Sequence, residues 1–348
     1  MEIENKRIGH CGGLAGRCRM MVWLALCMLA VPLHAKTLIK LTTLAPKDSS
    51  YHQALQKMGQ QWAKATGGDI DLVIYPGGIQ GGESAMIKRM RIGQIQAAMI
   101  TTVGLSDIEP SVSGLQSMPM MLRDLAELDH IAAKLQPSLE EMLAAKGFVV
   151  LFWTDAGWVQ YFSKRPVRTP DDLRKMKMFS WSKGDESDMI AKRAGFNPVA
   201  LETADILPGL QTGLIDVVAM PPFYALSTQV YTAAPHMIQL DWAPLVGATV
   251  IKKDVWDRMA PEKREAMKAA AVEAGKQIKA ASRKESDDAV DTMREKWGLK
   301  VHKPTAEEIG AWRKTCEAIY PEIRGKIVPE KIWDDVVGWL QEYRAGSR

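Results

Sequence analysis

The chain has 348 residues, of which 47% are hydrophobic, and its formal net charge is +4. This length is sufficient for a large core divided between two lobes, and the near balance of charge gives no indication of a nucleic-acid surface. Three of the four cysteines lie before residue 30, which leaves Cys316 with no second cysteine for a disulfide bond or a CxxC metal site. The six histidines have no paired metal spacing, so we predict neither a metal nor a cofactor.

The first 35 residues have the pattern of a secretory signal peptide. Basic residues precede the apolar run 20–33, which is too short for a stable membrane span, and Ala35 stands at the expected cleavage point. We therefore expect a mature protein that begins near Lys36 and lies in the periplasm. N-terminal sequencing of protein recovered from the periplasm checks this, and a retained leader or a lipidated Cys27 would contradict it.

Residues 36–157 predict alternating strands and helices. In chain order these are a strand from residue 37, a helix at 51–64 capped by Ser49 or Ser50, a strand at 69–76, a helix from Glu83, a strand at 96–100, helices at 122–134 and 138–146, and a strand at 148–154. The last strand is continuously apolar, which predicts burial on both faces. A further extended stretch follows at 158–162.

The second half begins with the same alternation and ends with helices. A strand at 176–181, a helix at 182–194, a helix between Thr203 and Gly213 and a strand at 215–220 are typical of parallel strands with helical crossovers. Beyond them we predict strands at 236–240, 246–252 and 299–302, a helix over Pro261–Trp297, a helix capped by Thr305, and a helix at 332–343. The helix that starts at Pro261 would span about 55 Å.

Several segments resemble the solute receptors of TRAP transporters, the DctP-like periplasmic binding proteins. They read YPGGIQGGESAMIKRMRIGQIQAAM, DLRKMK and LQTGLID, and the resemblance extends over nearly all of the chain after residue 35. It implies an α/β fold like that of periplasmic binding proteins, with two α/β lobes, a hinge and a long spanning helix. The expected lobes are 36–157 with 249–285, and 158–248 with 286–348.

The resemblance also implies a function. The protein is expected to be a periplasmic receptor, not an enzyme, that delivers a small-molecule ligand to TRAP membrane permease subunits. It looks closer to a branch that works with a TPR-repeat periplasmic partner and has an apolar cleft than to the dicarboxylate receptors. No nucleic-acid partner is expected.

Three positions depart from the acid-binding members. Phe179 and Val159 stand where the resemblance places arginines that bind a carboxylate, and Met220 stands where it places an asparagine. A buried carboxylate without such partners costs several kcal/mol, so we expect an apolar or amphipathic ligand. The candidate ligand-binding residues are Tyr51, Thr102, Trp153, Trp158, Val159, Phe179, Trp181, Met220, Phe223 and Tyr224.

Two alternatives stay open. A carboxylate ligand could be bound from a new direction by another cation, Lys183 or Arg123. A periplasmic enzyme on the same fold is the remote alternative, since there is no GxSxG motif and Cys316 on a predicted helix is typical of a small core residue. The acidic run at 185–188 is explained by the dipole of the helix it begins.

Overall fold

Two β-sheets organise the described residues, 36–181 and 186–346 of a computed structural model. The predicted leader, Lys183 and Asp185 lie outside these ranges. The strands are β1 (Thr37–Thr43), β2 (Ile70–Tyr75), β3 (Ala97–Thr101), β4 (Phe148–Trp158), β5 (Gln160–Ser163), β6 (Lys177–Ser180), β7 (Asn197–Ala200), β8 (Val217–Met220), β9 (His236–Ile238), β10 (Pro244–Lys252) and β11 (Lys300–His302). The first sheet has the order β2-β1-β3-β10-β4 and the second β11-β9-β5-β8-β6-β7.

Helices connect these strands. They are α1 (Ser50–Ala65), α2 (Glu83–Arg91), α3 (Thr102–Ser106), α4 (Leu125–Ala145), α5 (Pro170–Arg174), α6 (Glu186–Arg193), α7 (Ile206–Thr212), α8 (Pro222–Ser227), α9 (Lys253–Asp257), α10 (Pro261–Trp297), α11 (Ala306–Ile323) and α12 (Glu330–Gly346). Strand β1 is parallel to β3, and β6 is parallel to β7 and β8, as the alternating pattern predicts. Within the described ranges, none of the helices combines the length and apolar character that a bilayer crossing requires.

The long helix α10 spans both lobes, and its predicted ends are confirmed. Pro261 occupies the first helical turn, and Gly298 ends the helix with φ of 72°. On one side α10 packs against α1 and β4, and on the other against α8. Gly275 lies so close to Phe152 of β4 that an added Cβ would fall 2.7 Å from the ring. The spanning helix is therefore packed directly on the first sheet.

Two features of the structure bear on the expected lobe boundaries. The predicted boundary at 248/249 falls inside β10, all of which pairs with β3 and β4 in the first sheet. Helix α12 was expected with the second lobe, but it packs against α4 and the 3-10 turn Pro110–Leu115. Arg344 of α12 donates two hydrogen bonds, of 2.6 and 2.7 Å, to the buried Glu127 of α4. These long-range contacts leave no local signal in the sequence.

The segment before β4 is one helix, although two were predicted. Pro137 lies inside α4, where it removes one backbone hydrogen bond without ending the helix. The apolar face of α4 continues across the proline, because its buried residues keep helical spacing on both sides. They are Leu128, Ile131, Ala132, Leu135, Leu139 and Leu143.

Candidate functional site

A cavity of about 190 Å³ is lined by residues from both lobes. Thr43 and Thr101 reach it from the carboxyl ends of the parallel strands β1 and β3. Phe179 and Met220 reach it from the corresponding ends of β6 and β8. Ligands of α/β proteins bind at this end of parallel strands, so the cavity occupies the position expected for a binding cleft.

Most of the predicted site residues lie around this cavity. They are Tyr51, Val159, Phe179, Trp181, Met220, Phe223 and Tyr224. Phe179 and Trp181 form an edge-to-face pair with ring centroids 4.9 Å apart. Tyr51 of the first lobe stacks on Phe223 of the second at 5.3 Å, so an aromatic contact joins the two lobes beside the cavity.

Three predicted residues do not line the cavity. Trp153 lies on the face of β4 that α4 covers, where its indole donates a 3.0 Å hydrogen bond to Glu140. Trp158 ends β4 opposite Pro244, and its neighbour Val159 reaches the cavity instead because successive side chains of an extended chain alternate in direction. Thr102 is fully buried as the first residue of α3, and the preceding Thr101 lines the cavity in its place.

The sequence interpretation missed other residues of the wall. Trp242 and Tyr161 line the cavity and form an edge-to-face pair at 5.6 Å. Tyr161 also stacks on the buried Trp312 at 5.9 Å, and its burial raises the pKa of the phenol well above its usual range. Trp242 lies in the connection between β9 and β10, where no periodic pattern could have indicated its direction.

Glu83 is a buried acid in the cavity wall, and it was missed as well. Its carboxylate accepts hydrogen bonds from the backbone N–H and hydroxyl of Thr101, both 2.7 Å, and from the N–H of Gly104 at 2.9 Å. Burial nevertheless raises the pKa of Glu83. Burial, together with the nearby Glu83, also raises the pKa of Tyr224 on the opposite lobe. The signal in the sequence was the first residue of a helix after a glycine-rich loop.

Asp155 is the second acid of the wall, and it follows the buried run of β4. Arg283 of α10 donates to both of its carboxylate oxygens at 2.9 and 2.8 Å, and to Asp129 of α4 at 3.0 and 2.7 Å. Ser282, also on α10, donates a 2.7 Å hydrogen bond to the backbone carbonyl of Asp155. The spanning helix is thus tied by charge to the segment where the chain passes between the lobes.

The cavity contains no basic side chain among its described lining residues. Arg283 contacts Asp155 from behind and does not line the cavity, and Arg123 is exposed and also absent from its wall. Lys183 lies outside the described residues. In the same described part of the chain, no cluster of His, Cys, Asp and Glu could hold a metal ion. Cys316 is fully buried in α11, and burial raises the pKa of its thiol to about 12.

Comparison with known proteins yields consistent matches. The model of the family described as bacterial extracellular solute-binding protein, family 7 (DctP) matches residues 41–326. The C4-dicarboxylate-binding periplasmic protein DctP of Rhodobacter capsulatus is 24% identical over 328 residues, which cover 92% of this chain and 95% of that protein. The 2,3-diketo-L-gulonate-binding periplasmic protein YiaO of Escherichia coli K12 is 27% identical over 248 residues, which cover 71% of this chain and 75% of that protein.

A solved structure has a similar fold. A TRAP periplasmic solute-binding protein from Ralstonia eutropha H16, crystallised with bound (S)-2-acetolactate, has a TM-score of 0.81 to this chain at 25% identity. The match covers 88% of this chain and 99% of that one.

Proposed function

This chain belongs to the bacterial extracellular solute-binding proteins of family 7, the receptors of TRAP transporters, and from that membership we propose that its cleft captures a neutral, apolar or amphipathic solute. The family is one of receptors rather than enzymes, so the site is interpreted as a binding site. The observation that carries the proposal is the charge of the wall. Two carboxylates, of Glu83 and Asp155, line the cavity, and its described lining residues include no lysine, arginine or histidine.

A carboxylate ligand would be poorly stabilised in such a cavity. Leaving water costs an anion several kcal/mol unless a cation or several hydrogen-bond donors replace its hydration. The donors next to the acids are already used, since Thr101 and Gly104 bind Glu83 and Arg283 binds Asp155. Glu83 and Asp155 themselves offer a carboxylate ligand no cation to pair with.

A neutral ligand fits the same wall well. Val159, Phe179 and Met220 stand where the resemblance places three polar contacts, and each lines the cavity. Phe179 and Met220 also belong to one apolar core cluster of the second lobe. Burial of apolar ligand surface contributes about 25 cal/mol per Å², and these three side chains supply such surface.

The transport role follows from the family. The two lobes, connected by extended chain and by α10, suit a receptor that closes over its ligand and delivers it to TRAP membrane permease subunits. A TPR-repeat periplasmic partner belongs to the proposal as well, because the apolar wall agrees with that branch. The periplasmic location, with cleavage near Ala35, is part of the same proposal.

The test compares a neutral ligand with its acid. Isothermal titration at neutral pH compares hexanamide with hexanoate, two ligands of the same chain length with a neutral and a charged head group. We expect hexanamide to bind more tightly by about a hundredfold or more, because burying the unpaired charge of hexanoate costs several kcal/mol. Mass spectrometry of any compound released on denaturing the purified protein should likewise find a neutral molecule.

A carboxylate bound without the arginine clamp is the second candidate. It is favoured by the ligands of two relatives, a C4-dicarboxylate for the Rhodobacter capsulatus protein and (S)-2-acetolactate for the Ralstonia eutropha protein. Binding of succinate or hexanoate by the wild type, more tightly than hexanamide, would decide for this candidate. Such binding would also mean that a cation outside the described lining residues pairs with the carboxylate of the ligand.

A further inference from the structure

A second cavity, of about 310 Å³, adjoins the first, and we call it the outer chamber. Leu44 and Tyr224 belong to the walls of both cavities. The remaining wall again comes from both lobes, with Pro46 and Gly77 on one side and Leu207 and Val230 on the other. Two side chains therefore separate the ligand cavity from further space between the lobes.

The outer chamber is suited to an aliphatic chain. Its wall includes Pro46, Ile206, Leu207, Pro208 and Val230, and none of its described lining residues carries a formal charge. Its polar members are the threonines 203 and 228 and the shared Tyr224. The Thr228 hydroxyl donates a 2.7 Å hydrogen bond to the backbone carbonyl of Tyr224, so that polar group is already satisfied.

Leu44 and Tyr224, the two residues shared by both walls, are only partly buried. Within the described residues the hydroxyl of Tyr224 has no hydrogen-bond partner, so rotation of this half-buried ring breaks none. Leu44 is partly buried, packs at the edge of a core cluster and lies beside Gly78. A passage between the two cavities would need a change of side-chain rotamer at these two positions.

We propose, resting on the proposed function, that the ligand is an elongated amphipathic molecule with a straight aliphatic chain. Its head group lies in the first cavity, which we call the inner cavity, with the adjoining methylenes against Phe179 and Trp181. The rest of the chain passes between Leu44 and Tyr224 into the outer chamber. Specificity for chain length then arises in the outer chamber. Each methylene that enters an apolar site contributes about fourfold in affinity.

The experiment is a titration series with straight-chain primary amides, from butanamide to dodecanamide, measured by calorimetry. For the wild type we expect the dissociation constant to fall by about fourfold per methylene through the longer members of the series. Leu207→Trp fills the outer chamber from a partly exposed position and should abolish this gain for the longer amides. The matched control is Leu214→Trp, since Leu214 is 49% exposed and lines neither cavity.

The outcomes separate the two proposals. If the wild type binds short amides but its affinity stops rising as soon as the inner cavity is filled, the outer chamber is not part of the site and this inference is overturned. The same conclusion follows if Leu207→Trp, checked for an unchanged unfolding transition, keeps the full gain. If the wild type binds no amide but binds the corresponding acids, the proposed function itself has failed.

Discussion

Replacement of Arg283 by methionine should lower the free energy of unfolding by about 3–5 kcal/mol. Asp155 is only 4% exposed, and Arg283 supplies hydrogen bonds to both of its carboxylate oxygens. Methionine keeps much of the aliphatic stem but removes the charge. Among the described residues, the buried carboxylate is then left with Lys279, at 3.7 Å, as its ion-pair partner. The loss of stability comes from the buried charge that is left without its partner, and it does not measure the net contribution of the intact pair.

The measurement is urea unfolding of the mature protein, with Lys284→Met as the matched control. Lys284 follows Arg283 on the same helix, but its pair with Asp288 is exposed on both sides, and its loss should cost less than about 0.5 kcal/mol. Adding Asp155→Asn to Arg283→Met should recover part of the loss, because it removes the unpaired charge. Equal effects of Arg283→Met and Lys284→Met would show that the ion pairs of Arg283 do not stabilise the fold.

The elements whose signals are local could be predicted from the sequence. Helix α10 begins at a proline and ends at a glycine with positive φ, and both ends were predicted at the residue observed. The cavity at the ends of β6 and β8 follows from the alternation of strands and helices, because parallel strands place their carboxyl ends on one edge of a sheet.

What could not be predicted depends on contacts between distant segments. Trp153 and Trp158 lie on either side of the cavity-lining segment 154–156 in the sequence. Only the cover of α4 and the pairing with β10 decide that their side chains lie elsewhere. Two helices were predicted at 122–134 and 138–146, and one helix with a continuous apolar face runs through Pro137 instead. Glu83 is marked in the sequence only as the first residue of a helix after a glycine-rich loop, and its role in the wall depends on hydrogen bonds from Thr101 and Gly104.

Phe179 is the position at which a single substitution should reverse the charge preference of the site. The side chain is 5% exposed, lines the cavity and packs edge-on against Trp181. Phe179→Arg places a guanidinium there, and neither acid of the wall is free to pair with it. Glu83 already accepts three hydrogen bonds, and Asp155 is held by Arg283.

We therefore expect the ligand-free Phe179→Arg variant to lose about 3–5 kcal/mol of stability, the cost of an uncompensated buried charge. Phe179→Met, which changes shape but not charge, should lose about 1 kcal/mol. Thermal unfolding with and without succinate and hexanamide measures both effects. Succinate should raise the melting temperature of the arginine variant alone, because an anion that pairs with the guanidinium stabilises only the folded state.

Hexanamide should have the opposite pattern, stabilising the wild type and Phe179→Met but not the arginine variant, since its apolar surface would then face an ion. A wild type that succinate stabilises as strongly as it stabilises Phe179→Arg would contradict this account. In that case a cation already serves the site, and the apolar side chain at 179 fills space without determining the charge of the ligand.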